Sequence, residues 1–140
     1  MISALDISTS ALVAQRTRLN TISGNIANIS SLKDENGDAK PYQAREVMFQ
    51  TDERSDGPHG PAGVKVSEIR TDDAQPKYRY QPNHPLAIGE GKWKGYVAYP
   101  NIDLTTQMVD ALETTRAYEA NIGVMEISKN IGRETLTILA

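Results

Sequence analysis

The chain contains no cysteine. That absence excludes disulfides, thiolate catalysis and cysteine-ligated metals together. Large aromatics are scarce as well: Phe49 is the only Phe and Trp93 the only Trp. With 6% aromatic and 39% hydrophobic residues in 140, one domain has thin material for a self-sufficient core. Such a composition suits a protein that finishes burying its apolar surface against other copies. A modest core under long loops is the alternative reading. No hydrophobic run is long enough to span a bilayer. The opening Met1-Ile2-Ser3-Ala4-Leu5-Asp6 lacks the basic start, apolar block and small-residue site of a cleaved signal peptide. The expectation is a chain that stays in the cytoplasm or leaves it without signal cleavage. Fifteen basic residues are scattered under a net charge of -3. Without a clustered basic patch, nucleic acid is not an expected partner.

Proline is missing from both ends. All 7 prolines lie between residues 32 and 100, and most of the 10 glycines lie there too. Helix breakers confined to the middle predict helical ends and a middle of turns and short strands. The fold class that follows is mainly α with a small β part. Long N- and C-terminal helices pair as a coiled coil, with a short β-hairpin and loop region between them. Residues 1–31 and 101–140 then form one helical unit and residues 32–100 the β and loop region.

The apolar pattern supports this division. In the first segment Leu5, Leu12, Leu19 and Ile26 recur every seven residues, with Ile22 and Ile29 three residues further on. A seven-residue recurrence keeps one apolar line facing a partner helix. Ser3 or Ser8 is positioned to cap the start, Ser3 with Asp6 in the manner of a capping box. In the last segment Leu104, Ala111, Tyr118, Met125, Gly132 and Leu139 recur every seven, and Met108, Ile122 and Leu136 sit four residues on. Leu112, Val124, Ile131 and Ile138 form a second apolar flank. A helix over 102–138 would be roughly 55 Å long, the length of a coiled-coil arm rather than of a small globule's core. Periodicity alone does not separate an ordinary core face from an assembly face.

In the middle, short strands are predicted at 42–49, at 64–69, and around Tyr78 and Tyr80. The Pro- and Gly-rich stretch 56–63 reads as a loop. Nothing there carries chemistry. Asp34-x-Asn36-x-Asp38 starts like a calcium loop, but Ala39 and Arg45 stand where Gly and Glu are needed. His59 and His84 lie beside prolines without a spaced metal-binding partner. The Gly-rich stretch 89–95 lacks the Lys-Ser/Thr ending of a phosphate loop and reads as a flexible turn or insertion carrying an exposed Trp93, itself a candidate assembly contact. Asp72-Asp73 sits in a polar loop, and Glu113 and Glu119 do not share a helix face. No catalytic, cofactor or metal residue is expected.

Three stretches carry a resemblance. Gln15-Arg16-x-x-Leu19-Asn20-x-Ile22-Ser23-Gly24-Asn25-Ile26-Ala27-Asn28-Ile29 resembles the N-terminal motif of bacterial flagellar rod and hook proteins, centred on Asn-Ile-Ala-Asn. Met108-Val109-Asp110 followed by Arg116-Ala117-Tyr118-Glu119-Ala120-Asn121 is similar to the C-terminal motif of the same family. Pro82-Asn83-His84-Pro85 and the stretch from Gly95 to Asp103 resemble the region before the last helix in a short, proximal-rod member. Gly24 departs from the Asn frequent at that position, and residues 86–94 look inserted.

The resemblance implies a role. Terminal helices of family members pair and line the axial tube, and the middle faces outward. Subunits pass through the flagellar type III export apparatus and polymerise at the growing tip, in a rod that crosses the periplasm. The implied function is a non-enzymatic rod subunit that polymerises through its helices into a torque-transmitting drive shaft. Its implied partners are copies of itself, other rod proteins, the MS-ring and export-gate base, and surrounding ring proteins. Candidate assembly residues are Leu5, Leu12, Leu19, Ile22, Asn25, Ile26 and Asn28 on the first helix. On the second they are Leu104, Met108, Leu112, Arg116, Tyr118, Asn121, Ile122, Met125, Ile131 and Leu139. A helical adaptor that does not polymerise and a peptidoglycan-cleaving enzyme are the rival readings.

Overall fold

The computed structural model describes residues 2–52 and 63–139. The loop expected at 56–63, with His59, lies outside the described residues except for Gly63. Helix α1 spans Ile2–Ala27 and helix α2 spans Leu104–Leu139. Between them lie strands β1 (Arg45–Asp52), β2 (Gly63–Thr71), β3 (Lys77–Tyr80) and β4 (Tyr96–Tyr99). Two long helices enclosing a small antiparallel β region is the fold class the sequence predicts. The hydrogen-bonded region of α1 stops four residues short of the expected boundary.

Local chemistry sets the helix ends. At the end of α1, Asn28 donates from its backbone N and its Nδ2 to the Gly24 carbonyl, at 3.1 and 2.9 Å. Ser31 Oγ then donates to Asn28 Oδ1 at 2.9 Å. Short polar side chains thus satisfy a terminal carbonyl and turn the backbone out of the helix. At the start of α2, Asp103 is the N-cap: Thr105 N donates to its Oδ1 and Thr106 Oγ1 to its Oδ2, both at 3.1 Å. The helix already includes Ile2 and Ser3, so the N-cap position expected at Ser3 or Ser8 lies inside it, and Ser8 is 3% exposed.

The helices run antiparallel. Asn25, near the end of α1, bonds to Gln107, near the start of α2. Leu5 and Leu12 share a cleft with Ile122, Met125 and Lys129. Among the described elements, α2 packs against α1 alone, while α1 also packs against β1 and β2. Helix α1 is therefore the central layer, with α2 on one side and the first hairpin on another.

β1 and β2 pair antiparallel from Arg45↔Thr71 to Asp52↔Gly63, with a register shift between Met48 and Phe49. Ser67 is the extra residue on β2, and a bulge of this kind increases the local twist of a hairpin. The hairpin docks on α1 through Ser10, whose Oγ accepts from Val64 N at 3.1 Å and donates to the Ile7 carbonyl at 2.7 Å. Gly63 lies so close that a Cβ there would meet Ser10 Oγ at 2.6 Å.

β3 and β4 form a separate antiparallel pair, Lys77↔Tyr99 to Tyr80↔Tyr96. β4 was not among the strands predicted. The stretch 86–94 is a hydrogen-bonded turn, closed by Ile88 N to Tyr96 O and Gly95 N to Ile88 O, both at 2.9 Å. Gly95 has a φ of +79°, and a Cβ there would stand 3.0 Å from the Tyr80 ring, so Gly is suited to both the backbone and the space. Trp93 stacks on Tyr78 with ring centroids 4.2 Å apart and planes 7° from parallel, and meets Tyr96 edge-on at 5.5 Å.

The buried apolar set among the described residues is small: Ala14, Ile22, Val97 and Ile102. The shortage of large aromatics is visible here as a thin core spread over separate places.

Candidate functional site

The Asn25 side chain is buried, 2% exposed, and its amide is fully hydrogen-bonded. Its Nδ2 donates to the Arg45 carbonyl at 2.9 Å and to Gln107 Oε1 at 3.0 Å. Its Oδ1 accepts from Arg45 N at 2.9 Å and Tyr42 OH at 3.2 Å. A primary amide has two donors and two acceptor lone pairs, so all four are used. The pair of bonds to Arg45 imitates a strand partner and fixes where β1 begins. The bond to Gln107 ties the start of α2 to the same atom. One side chain thereby joins three chain segments.

The seam of α2 facing α1 is only partly apolar. Ala111, Tyr118, Met125 and Gly132 are half-buried along one seven-residue line. The companion line is Thr114, Asn121, Ser128 and Thr135, also buried or half-buried. Thr114 is 1% exposed and bonds the Asp110 carbonyl at 2.6 Å; Asn121 Nδ2 bonds the Ala117 carbonyl at 2.8 Å. Thr114, Asn121 and Thr135 each return the polar head to their own helix, which lets a polar residue lie in a helix interface without an orphaned group. On α1 the matching side carries Leu5, Leu12, Leu19 and Ile26, all half-buried, and the buried Ser8 and Ile22. Asn28 is half-buried in the turn after α1.

The apolar residues displaced from the seam lie outside it. Leu104, Met108, Leu112 and Ile131 are 41–61% exposed, and Leu139 is 78% exposed. Ile122 stands at the margin at 38%. Val109, Val124, Ile127, Leu136 and Ile138 are exposed with them, and so is Arg116. Water-facing apolar residues along a 36-residue helix amount to an extended unburied flank. The structure thus divides the expected assembly residues. Ile22 and Asn25 are consumed within the chain, Leu5, Leu12, Leu19, Ile26, Tyr118, Asn121 and Met125 are half-consumed, and Leu104, Met108, Leu112, Ile131 and Leu139 are free.

Between the helices, Leu5, Leu12, Ile122, Met125, Glu126 and Lys129 line an open cleft of about 440 Å³. A second hollow of about 280 Å³ borders Asn25, walled by Arg18, Arg45, Phe49 and Asp110 among others. The second hollow carries two carboxylates, Glu46 and Asp110, beside Arg18 and Arg45, and no histidine lines either hollow. Among the described residues no group of three or more His, Asp or Glu is placed to hold a metal ion. The Asp34 to Asp38 turn closes on itself, with Asn36 N on Asp34 Oδ1 at 2.7 Å and Asp34 N on the Asp38 carbonyl at 3.0 Å. His84 Nδ1 accepts from Leu86 N at 3.1 Å and so shapes its own turn. No helix among the described residues is long and apolar enough to cross a membrane.

Residues that bear on the site and were not read from the sequence are Gln107, Tyr42, Arg45 and Ser10. None of the four showed this role in the sequence, because each bonds a residue 17 to 82 positions away.

Residues 5–30 match the family described as flagella basal body rod protein. Residues 94–138 match the C-terminal region of the flagellar basal body rod FlgEFG proteins. Across the whole chain, similarity extends to flagellar basal-body rod protein FlgC of Borreliella burgdorferi, 37% identical over 152 residues. That match covers 99% of this chain and 97% of the relative. FlgC of Yersinia enterocolitica is 38% identical over 138 residues, with 99% and 97% covered. FlgC of Bacillus subtilis is 36% identical over 147 residues, with 96% and 95% covered. The two family matches fall on α1 and on α2 with its lead-in strand, the elements that Asn25 and Gln107 tie together, and the full-length identity is shared across distant bacteria. The chain belongs to the FlgC family of flagellar basal-body rod proteins.

Proposed function

We propose that this chain is a structural subunit of the flagellar basal-body rod, held in it by the apolar flank that α2 leaves exposed. The observation that carries the reading is Leu112, Ile127 and Ile131 standing 53–61% in water on the helix of a rod-family member. At roughly 25 cal/mol per Å² of apolar surface removed from water, repetition of one such flank along a polymer stabilises a stiff tube. The same surface used head-to-tail generates an open helical series rather than a closed pair. As a member of a structural rod family, the chain is a building block and not an enzyme.

The finer reading is a proximal-rod position in a torque-transmitting shaft, with residues 1–31 and 101–140 on the inside and residues 32–100 outward. Other rod subunits and further copies of the chain are its neighbours. Contacts with the MS-ring and export-gate base and with surrounding ring proteins, and passage through the type III export apparatus, belong to the same proposal. The small core supports it, since a thinly packed chain is easily unfolded for export. Cryo-EM of purified basal bodies tests the reading directly. Density for both helices in the inner wall of the rod is the expected result. Basal bodies complete without this chain would overturn it.

A further inference from the structure

We propose that Asn36 is a site of spontaneous modification, where attack by the Gly37 backbone nitrogen expels the side-chain amide and leaves aspartate or isoaspartate in the turn between α1 and β1. The chemistry is local to this exposed turn and independent of the rod reading.

The sequence singles out the position. Of the eight asparagines in the chain, only Asn36 precedes a glycine. Six of the others precede Ile or Thr, whose β-branched side chains crowd the backbone nitrogen that would have to reach the Asn Cγ.

The fold leaves the position open. Asn36 and Gly37 are both exposed, and a Cβ built on Gly37 would meet nothing within 4 Å. Asn25, Asn28 and Asn121 hold their amides in hydrogen bonds to the carbonyls of Arg45, Gly24 and Ala117. The Asn36 side-chain amide has no such partner among the described residues. Only short-range bonds close its turn. Gly37 N donates to the Asp34 carbonyl at 2.9 Å, Asn36 N to Asp34 Oδ1 at 2.7 Å, and Asp34 N to the Asp38 carbonyl at 3.0 Å. Exposed bonds of this kind open at low cost, and opening frees the Gly37 nitrogen. Gly37 has a φ of +86°, a conformation that favours glycine, so the turn itself calls for the residue that makes Asn36 reactive.

The step uses water alone. Hydroxide takes the Gly37 N–H proton and the nitrogen attacks Asn36 Cγ. The new C–N bond replaces the Cγ–Nδ2 bond, and Nδ2 leaves as ammonia with a proton from water. The product is a cyclic succinimide. Water then opens the ring at either of its carbonyls. Opening at Cγ gives aspartate, and opening at the backbone carbonyl gives isoaspartate, with the chain running on through Cγ. Nothing is oxidised or reduced. Either product adds a carboxylate to a turn that already holds Asp34, Glu35 and Asp38. Like charges so placed repel and loosen the closing bonds.

Peptide mass mapping tests the proposal on the full chain. The protein and an Asn36→Gln variant are incubated in neutral and in mildly alkaline buffer, beside a sample unfolded in guanidinium chloride. The peptide carrying Asn36 is expected to lose its amide about tenfold or more faster than peptides carrying asparagines that precede β-branched residues. Loss should quicken at the higher pH, yield isoaspartate, and release ammonia that the Gln variant does not. In the converted chain, amide exchange at Gly37 should quicken, while Tyr42, whose N bonds the Ser31 carbonyl, keeps its protection. An Asn36 amide retained in the folded chain overturns the proposal; conversion in the unfolded sample alone would show that the turn protects it. Loss at equal rates from several asparagines overturns it as well, since position 36 would then be no site.

Discussion

Asn25 Nδ2 and Gln107 Oε1 lie 3.0 Å apart across the helix pair, and the same Asn25 amide closes two bonds with the backbone of Arg45. Helix pairing and hairpin docking therefore share one side chain. Such a joint favours a single cooperative unit over a helix pair with a loosely hung hairpin, because neither interface forms fully without the other.

Replacing Asn25 with Ala removes all four partners at a site that is 2% exposed. Unpaired buried groups cost about 1–3 kcal/mol each, and water entering the hollow beside Asn25 relieves part of that, so a net loss of about 2–4 kcal/mol is expected. Gln107→Ala removes one partner and costs about 1 kcal/mol. Urea unfolding of both variants and of the double variant checks this. The double variant is expected to lose less than the sum, since the two changes delete one shared bond. Strict additivity would mean the Asn25–Gln107 bond contributes nothing.

Leu112→Asp and Ile131→Asp separate folding from assembly. Both positions are more than half exposed in the single chain. A surface substitution there shifts stability by only about 0.5 kcal/mol, and the far-UV spectrum of the helices is retained. Burying the new carboxylate against a neighbouring subunit is a far larger penalty. The expected outcome is a folded, expressed protein and a cell that does not swim. Ile22→Ala is the contrast: it deletes packing at a buried site and costs about 2–5 kcal/mol of chain stability. Normal swimming in both Asp variants would remove α2's flank from the assembly.

The two-helix plan was legible because proline and glycine punctuate so sharply. No proline falls in either helix, and Asp103 follows Pro100 at the start of the second. The exact face was less legible. Leu104 and Leu139 are the exposed ends of the seven-residue line read from the sequence, whose inner members Ala111, Tyr118, Met125 and Gly132 are half-buried, while the companion line of Thr114, Asn121 and Ser128 carried no apolar signal. A short polar residue whose head bonds its own helix packs closely, and hydropathy does not register that. Asn25 was legible as part of a motif but not as a joint, since its partners lie 17, 20 and 82 residues away. Strand β4 escaped notice for the same reason: four residues, Tyr96–Tyr99, are a strand only because β3 lies beside them.

Gly63→Ala tests how closely the first hairpin sits on α1. The added Cβ would lie 2.6 Å from Ser10 Oγ, the atom that holds Val64 N. Either the serine rotates and releases that amide or the hairpin lifts. Both routes cost about 1–3 kcal/mol, by a lost buried hydrogen bond or by overpacking. The paired variant Gly63→Ala with Ser10→Ala relieves the clash at the expense of the bond, and is expected to recover only part of the loss. A stability equal to the parent in the single variant would show that the hairpin is not held at this point.

Trp93 offers the sharpest test of whether the second hairpin is independent of the helix pair. Its ring stacks on Tyr78 and touches Tyr96, while β3 and β4 pair with each other and with no helix. Trp93→Ala is expected to remove about 0.5–1.5 kcal/mol of aromatic contact beyond the area lost. The damage should stay local. Amide exchange at Ile88 and Gly95, whose bonds close the turn, should quicken, while Arg45 and Val64 on the first hairpin keep their protection. Trp93→Phe keeps a stacking ring and should restore most of the turn's protection. If swimming is lost in both variants while protection changes only in the first, Trp93 touches a neighbour in the rod in addition to Tyr78. If swimming survives the Ala variant, the ring serves its own turn alone, since a contact with a neighbouring subunit would be lost at every repeat of the rod.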